Sequence, residues 1–343
     1  MILNINEFFT LRQQLPVVDV RSEGEFAQGH IRSAYNIPLL NNAERIVVGT
    51  TYKQQGQKQA IKEGFRLVGP RLTDIITAAE DKGHELIVHC WRGGMRSSNF
   101  CQFVGMTGIK THQLKGGYKA YRLHALEAYS TPLDYRVISG LTGSGKSDLL
   151  RTLAKKGEQV IDLESLANHK GSVFGGLTTG AQPTTEQFQN DLYESIRELD
   201  PSRPVWLEDE SIAIGKIFLP NAFWNRLRGG KITVIDVPKE VRVIRLTHEY
   251  GTVPPELFHN AMLGITKKLG GQNYLDAKAK LFAGDLAGAI EIILSYYDKA
   301  YSDAVDRKRG NVSMHLSWNG VDIDDLATTL ITEQLKSKRI LVD

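Results

Sequence analysis

Cysteine is nearly absent from this chain: 343 residues hold two, Cys90 and Cys101, and no Cys-x-x-Cys pair. Two thiols cannot build a disulfide framework or a four-thiolate zinc site. Long apolar runs are lacking too. No stretch of about 18 apolar residues occurs, which argues against a membrane span. The opening residues 1–20 lack the basic start and continuous apolar stretch of a secretion signal. The expected compartment is therefore a reducing cytoplasm. Strong charge is missing as well. The formal net charge is +3, so any surface for nucleic acid has to be a local patch. Arg, Lys and His recur over residues 92–119 and again over 299–309. What remains is an ordinary globular composition, 41% hydrophobic and 24% charged, with enough apolar material for two cores.

Short apolar runs alternate with helix-length segments from one end to the other, without internal repeats. In the first part the spacing predicts strands over 16–20, 34–38, 85–90 and 111–114, with helices over 97–106 and 118–129. Residues 128–134, with Pro132 among them, read as a linker. A second series then places strands at 136–139, 159–163, 204–208 and 231–237, and helices after Lys146, Thr185 and Lys239. From Pro254 the pattern is mostly helical, closing with a strand at 312–318 and a helix near 321–335. Such alternation belongs to parallel sheets with crossover helices. The expected class is α/β in two domains, residues 1–130 and 131–343.

Two loops carry chemistry. The strand Glu-Leu-Ile-Val-His delivers Cys90 into Cys-Trp-Arg-Gly-Gly-Met-Arg-Ser, and a helix follows. Backbone amides of Gly93, Gly94 and Met95 and the helix start form a nest that attracts anions, and Arg92 and Arg96 add positive charge. That environment suits a thiolate that attacks or carries a chalcogen or oxyanion. Cys101, inside the following helix, reads as core packing, and His89 as a structural hydrogen-bonding residue on the other side of its strand. Trp91, beside the nucleophile, could stack on a base or pack the loop.

The second loop is Gly140-Leu-Thr-Gly143-Ser144-Gly145-Lys146-Ser147, a full G-x4-G-K-S between a strand and a helix. Its glycines let the backbone wrap a phosphate, Lys146 supplies a point charge, and the Ser147 hydroxyl is placed to bind Mg²⁺. No dedicated protein metal site is expected. Asp162 and Glu164 end one strand, and Glu208 and Asp209 another, so each could serve metal or substrate, or simply cap and solvate. The stretch from Val234 to Arg245 is similar to small-molecule kinases at their strand-to-helix step, which keeps a kinase reading open for this half.

Asp19-Val-Arg21-Ser-x-x-Glu25-Phe-x-x-Gly29-His30-Ile, continuing to Asn36-Ile-Pro38, resembles the opening motif of rhodanese domains, and Leu114-Lys-Gly-Gly-Tyr118 their closing motif. Cys90 lies between them at the expected place, and Asp19 is expected to pair with Arg21 as scaffolding. Cys90 and Arg96 are separated by five residues where many sulfurtransferases have four. A Cys-x5-Arg loop is also the cradle of cysteine phosphatases, so a phosphatase reading stays open. A larger loop could hold a tetrahedral, phosphate-like donor above the sulfur.

A rhodanese domain followed by a P-loop domain resembles the tRNA 2-selenouridine synthases. Further matching stretches are Glu44-Arg45-x-x-Val48-Gly-Thr-x-Tyr52-Lys53-Gln54, Asp162 to Ser172, and Glu208-Asp209-Glu210-Ser211-x-x-Ile214-Gly215. The resemblance implies an N-terminal rhodanese-like parallel-sheet domain and a P-loop NTPase-like α/β domain with a helical C-terminal part. It implies conversion of wobble 2-thiouridine in the anticodon loop of tRNA to 2-selenouridine. Selenophosphate and geranyl diphosphate are the implied co-substrates, through an S-geranylated intermediate. Cys90 would serve the selenium step, and Gly140–Ser147 would hold a diphosphate. Arg45 and Lys53, with Lys58 and Arg66, are candidate RNA phosphate contacts in the polar insertion after Pro38. A selenophosphate synthetase is a candidate protein partner, and no membrane partner is expected.

Overall fold

The computed structural model describes residues 1–306 and 309–339, at 300–306, 309 and 337–339 as backbone alone. Of the basic stretch 299–309, every side chain but that of Lys299 lies outside the described residues. The chain forms two compact units, one of Met1–Tyr129 with Gln189–Glu194, the other of Ser130–Phe188 with Ser195–Asp343.

The first unit is built on a parallel sheet of five strands: β1 (Ile2–Leu3), β2 (Val17–Asp19), β3 (Tyr35–Asn36), β4 (Glu85–His89) and β5 (Lys110–Leu114). Their order is β1-β5-β4-β2-β3. Parallel strands covered on both faces read as unbroken apolar runs, and Leu86, Ile87 and Val88 of the central β4 are all fully buried. One core gathers Val18, Val20, Leu86 and Val88 with Phe100 and Val104 of helix Met95–Gly105. Cys101 packs half-buried against this core, where burial pushes its thiol pKa up. The two-residue β1, paired with β5, was not legible as a strand because it is too short to show a period.

The polar insertion after Pro38 is helical. Helix Asn42–Gln55 begins with a capping box of Asn41 and Glu44. Gly56, at φ +86°, ends it and starts helix Gln57–Val68. Neither helix carries much core: the first buries no residue fully, and the second buries Ala60 and Val68.

In the second unit the main sheet is again parallel, with β6 (Tyr135–Ser139), β7 (Gln159–Ile161), β8 (Val205–Glu208), β11 (Lys231–Asp236) and β12 (Val312–Ser317) in the order β12-β11-β6-β8-β7. A short antiparallel pair, β9 (Ala213–Ile214) and β10 (Ile217–Phe218), stands apart from it. The chain order reverses around β6, so the loop after β6 sits where ligands enter open α/β sheets. Helices Lys146–Lys155 and Ile323–Arg339 supply Leu149, Leu150, Leu326 and Leu330 to a core with Ile138, Trp206 and Ile235. The expected helical C-terminal part runs from Pro255–Leu263 through Leu286–Asp306, around Phe258, Met262, Leu281 and Ile293. Among the described residues no helix is long and apolar enough to cross a membrane.

Candidate functional site

In the first unit, Cys90 leaves the end of β4 with 3% of its surface exposed. Its Sγ lies 3.2 Å from the Ser97 hydroxyl. That hydroxyl donates to the Gly94 carbonyl at 3.1 Å and accepts from Gln113 Nε2 at 2.8 Å. Helix Met95–Gly105 starts directly after Gly94, so its first amides have no partner within the helix and face the loop end. The loop can turn this tightly because two glycines touch. Gly93 at φ +64° and Gly117 at φ +59° both have left-handed backbones. A Cβ on Gly117 would sit 2.3 Å from the Cys90 carbonyl oxygen and 2.5 Å from the Gly93 nitrogen.

Behind the loop lies a buried ion pair. Arg21 Nη2 donates to Asp19 Oδ2 at 2.6 Å and to the Gly29 carbonyl at 2.7 Å, and its guanidinium lies 3.8 Å over the Tyr118 ring. Burial works against the Asp19 carboxylate, yet His89 and Arg21 together hold its pKa below the usual value. His89 is fully buried, and burial holds its pKa down against the opposing pull of the Asp19 charge. Trp91 is half-buried against Tyr118, with ring centroids 5.6 Å apart. Arg92 and Met95 are exposed.

The Arg96 guanidinium is bonded to Glu25 at 2.6 and 3.1 Å, and this pairing, against the opposing effect of burial, holds the Glu25 pKa down. Glu25 is also 3.7 Å from Arg45. Arg45 is thereby drawn into this ion network, whereas Lys53 and Lys58 are exposed and Arg66 pairs with Glu63.

In the second unit, β6 runs into the phosphate loop and helix Lys146–Lys155. Gly143 at φ +82° and Gly145 at φ +80° give the loop its curl. A Cβ on Gly140 would meet the Ser144 hydroxyl at 2.7 Å and the Ile235 carbonyl at 2.9 Å. Lys146 Nζ donates to the Gly140 carbonyl at 3.0 Å, so the charge lies across the loop mouth. The loop opens into a cleft of 740 Å³, walled by Lys146, Ser147, Glu164, Lys170, Glu210 and Arg245 among others.

Carboxylates crowd this cleft. Ser147 Oγ donates to Glu164 at 2.6 Å. Gly171 lets Glu164 and Glu210 approach, since a Cβ there would lie 3.1 and 2.8 Å from their oxygens. Burial, with Asp162 and Glu249 nearby, raises the Glu164 pKa. Burial and the Glu164 charge push Glu210 up to about 8. Ser147 and Glu164 offer the hard oxygen ligands that Mg²⁺ takes. No group of three or more His, Cys, Asp or Glu forms a metal cage among the described residues, so phosphate oxygens and water would complete such a site.

Comparison with known proteins settles the kinship of the chain. Residues 133–328 match the family described as the tRNA 2-selenouridine synthase AAA domain, and residues 7–124 match the rhodanese-like domain. The tRNA 2-selenouridine synthase of Nitrosomonas europaea is 33% identical, over 86% of this chain and 90% of its own length. Those of Hydrogenovibrio crunogenus and Shewanella denitrificans are 37% and 34% identical, over 76% and 92% of this chain and 78% and 88% of theirs. The chain belongs to the tRNA 2-selenouridine synthase family.

In this synthase family member, then, the rhodanese-like unit holds Cys90 and the P-loop unit holds the cleft. Of the carboxylates singled out beforehand, Asp162 and Glu164 line the cleft. Asp162 also caps helix Leu163–Ala167 through the Ser165 amide. Glu208 and Asp209 do not line it: Glu208 is buried behind the cleft, where burial and the charges of Asp162, Glu164 and Glu210 raise its pKa and one oxygen accepts from the Leu163 amide, and Asp209 accepts from Ser139. The residue that faces the cleft from that strand end is Glu210. Ser97, Glu25 and Gln113 also escaped sequence reading as parts of the Cys90 site. Glu25 carried a signal through its place in the rhodanese-like motif and Ser97 as the last residue of the Cys90 loop motif, whereas Gln113 carried none.

Proposed function

We propose that this enzyme converts wobble 2-thiouridine of tRNA to 2-selenouridine with selenophosphate, through S-geranyl-2-thiouridine formed from geranyl diphosphate. The observation that carries this reading is the pairing, in one chain, of a thiol set against a helix start with a P-loop cleft. The synthases it is similar to span most of its length.

The chemistry divides accordingly. In the first step the thiouridine sulfur attacks the first carbon of the geranyl group. The carbon–oxygen bond breaks, the thiouridine N3 proton passes to solvent, and diphosphate leaves, its charge met by the loop amides and Lys146; Ser147 and Glu164 would hold a Mg²⁺ ion, which would supply further positive charge there. In the second, the selenium of selenophosphate attacks C2. The C2–Se bond forms, the C2–S bond breaks, and sulfur departs as geranylthiol. Water then splits the Se–P bond and releases phosphate. Cys90 belongs to this second step, with Arg92, Gly93, Gly94, Met95 and Arg96 cradling the tetrahedral end of the donor. Trp91, Arg45 and Lys53 are assigned to the anticodon loop. Selenophosphate arrives from a selenophosphate synthetase, and the reaction is placed in the cytoplasm.

The test is mass spectrometry of nucleosides from 2-thiouridine tRNA after incubation with geranyl diphosphate, with selenophosphate, with both, and with both plus Cys90→Ala. The full reaction is expected to yield 2-selenouridine, and Cys90→Ala to stop at the geranylated nucleoside. Unchanged tRNA under all conditions sinks the reading and directs attention to phosphatase and kinase assays.

A further inference from the structure

Next to the Cys90 loop the first unit holds a cavity of 150 Å³. Val48, Tyr52, Ala60 and Phe65 of the helices Asn42–Gln55 and Gln57–Val68 line it, facing Met95 and Phe103 of helix Met95–Gly105. The lining is almost wholly hydrocarbon, aromatic ring and thioether. The charged head of Arg96, at its edge, is turned onto Glu25. Tyr52, Phe65 and Met95 remain 58%, 53% and 46% exposed around it. An insertion that buries so little core yet leaves Tyr52 and Phe65 exposed, facing Met95 across one hollow, marks a ligand site.

The chemistry of the ligand follows from the walls. A polar or anionic molecule would find few partners and lose its hydration. A dry cavity of about 150 Å³ accepts a benzene ring, so one branched isoprene unit fits. The position is equally telling, because Met95 belongs both to this wall and to the loop that starts at Cys90. We infer, on the footing of the function proposed above, that this cavity holds an isoprene unit of the geranyl tail of S-geranyl-2-thiouridine during the selenium step. The tail is thereby anchored while its sulfur faces the Cys90 loop, and a prenylated sulfur is selected over a smaller alkylated one.

Gly64 provides the test. It lines the cavity within helix Gln57–Val68, and a Cβ built on it meets nothing within 4 Å. Gly64→Leu therefore grows into the hollow and favours the helix, so the full-length variant is expected to melt at an equal or higher Tm. With selenophosphate and anticodon stem-loops bearing S-geranyl- or S-methyl-2-thiouridine, the unaltered enzyme is expected to show a kcat/KM at least about tenfold higher for the geranyl substrate, the discrimination a single methylene can make in an apolar pocket. Gly64→Leu is expected to erase that preference and spare the S-methyl rate. A preference that survives Gly64→Leu overturns the inference. Selenation of neither substrate by unaltered enzyme sinks the proposed function instead. The cavity is then judged by photolabelling unaltered enzyme with a diazirine analogue of geranylthiol: adducts on Tyr52, Phe65 or Met95 support it, and adducts confined elsewhere refute it.

Discussion

Single side chains set the chemistry of both loops, and several of them make measurable claims. Gly117→Ala forces a Cβ against the Cys90 carbonyl in a left-handed backbone. A loss of about 3 kcal/mol or more in urea unfolding is expected, with selenation abolished because the loop is displaced. Ser97→Ala removes only the hydroxyl beside Cys90 Sγ. Selenation is expected to fall by roughly tenfold while stability changes by no more than about 1 kcal/mol. Glu210 gives a pH signature. Its carboxyl titrates near 4.5 when unfolded and at about 8 when folded, so the folded state holds the extra proton between those values. Stability from this group is therefore full below pH 4.5 and is lost as pH rises towards 8. Unfolding measured at pH 5 and pH 8 is expected to show a smaller loss for Glu210→Gln than for the unaltered protein. The difference should be on the order of a few kcal/mol. Identical pH slopes for the two proteins contradict that assignment.

At the scale of elements, what was local in sequence was legible. The phosphate loop is a strand, a Gly-rich turn and a helix start in consecutive residues, and β6 and helix Lys146–Lys155 flank it as expected. The Cys90 loop is equally contiguous. Strand ends shifted by a residue or two, since pairing partners, not propensity, decide where a ladder stops. Of the helices over 42–68, the first is only weakly amphipathic and buries no residue, so its periodic signal is faint, whereas the second is clearly amphipathic and was read only as part of a polar insertion. Their caps still follow local rules. Asn41→Ala breaks the capping box that starts the first of them, and a loss of about 1 kcal/mol in thermal unfolding is expected.

For the whole molecule the prediction is a division of labour. Lys146→Ala is expected to stop geranylation of 2-thiouridine tRNA yet to leave selenation of pre-geranylated tRNA within a few fold of unaltered enzyme. Cys90→Ala is expected to show the reverse pattern. Nucleoside mass spectrometry on the two substrates reads both, and loss of both steps in either variant rules out the split.

The sequence by itself determined the α/β class, through alternation along the whole chain, and the positions of the Cys90 loop and the phosphate loop, because each loop depends on residues within one turn of one another. It also carried the kinship, through motifs spread over most of the chain. Only the tertiary structure decided which carboxylate faces the cleft, that Arg96 answers to Glu25, and that a cavity opens beside Cys90. Those outcomes depend on side chains far apart in sequence, such as Glu164 with Glu210 and Glu25 with Arg96, meeting at distances where burial and charge outweigh local preference.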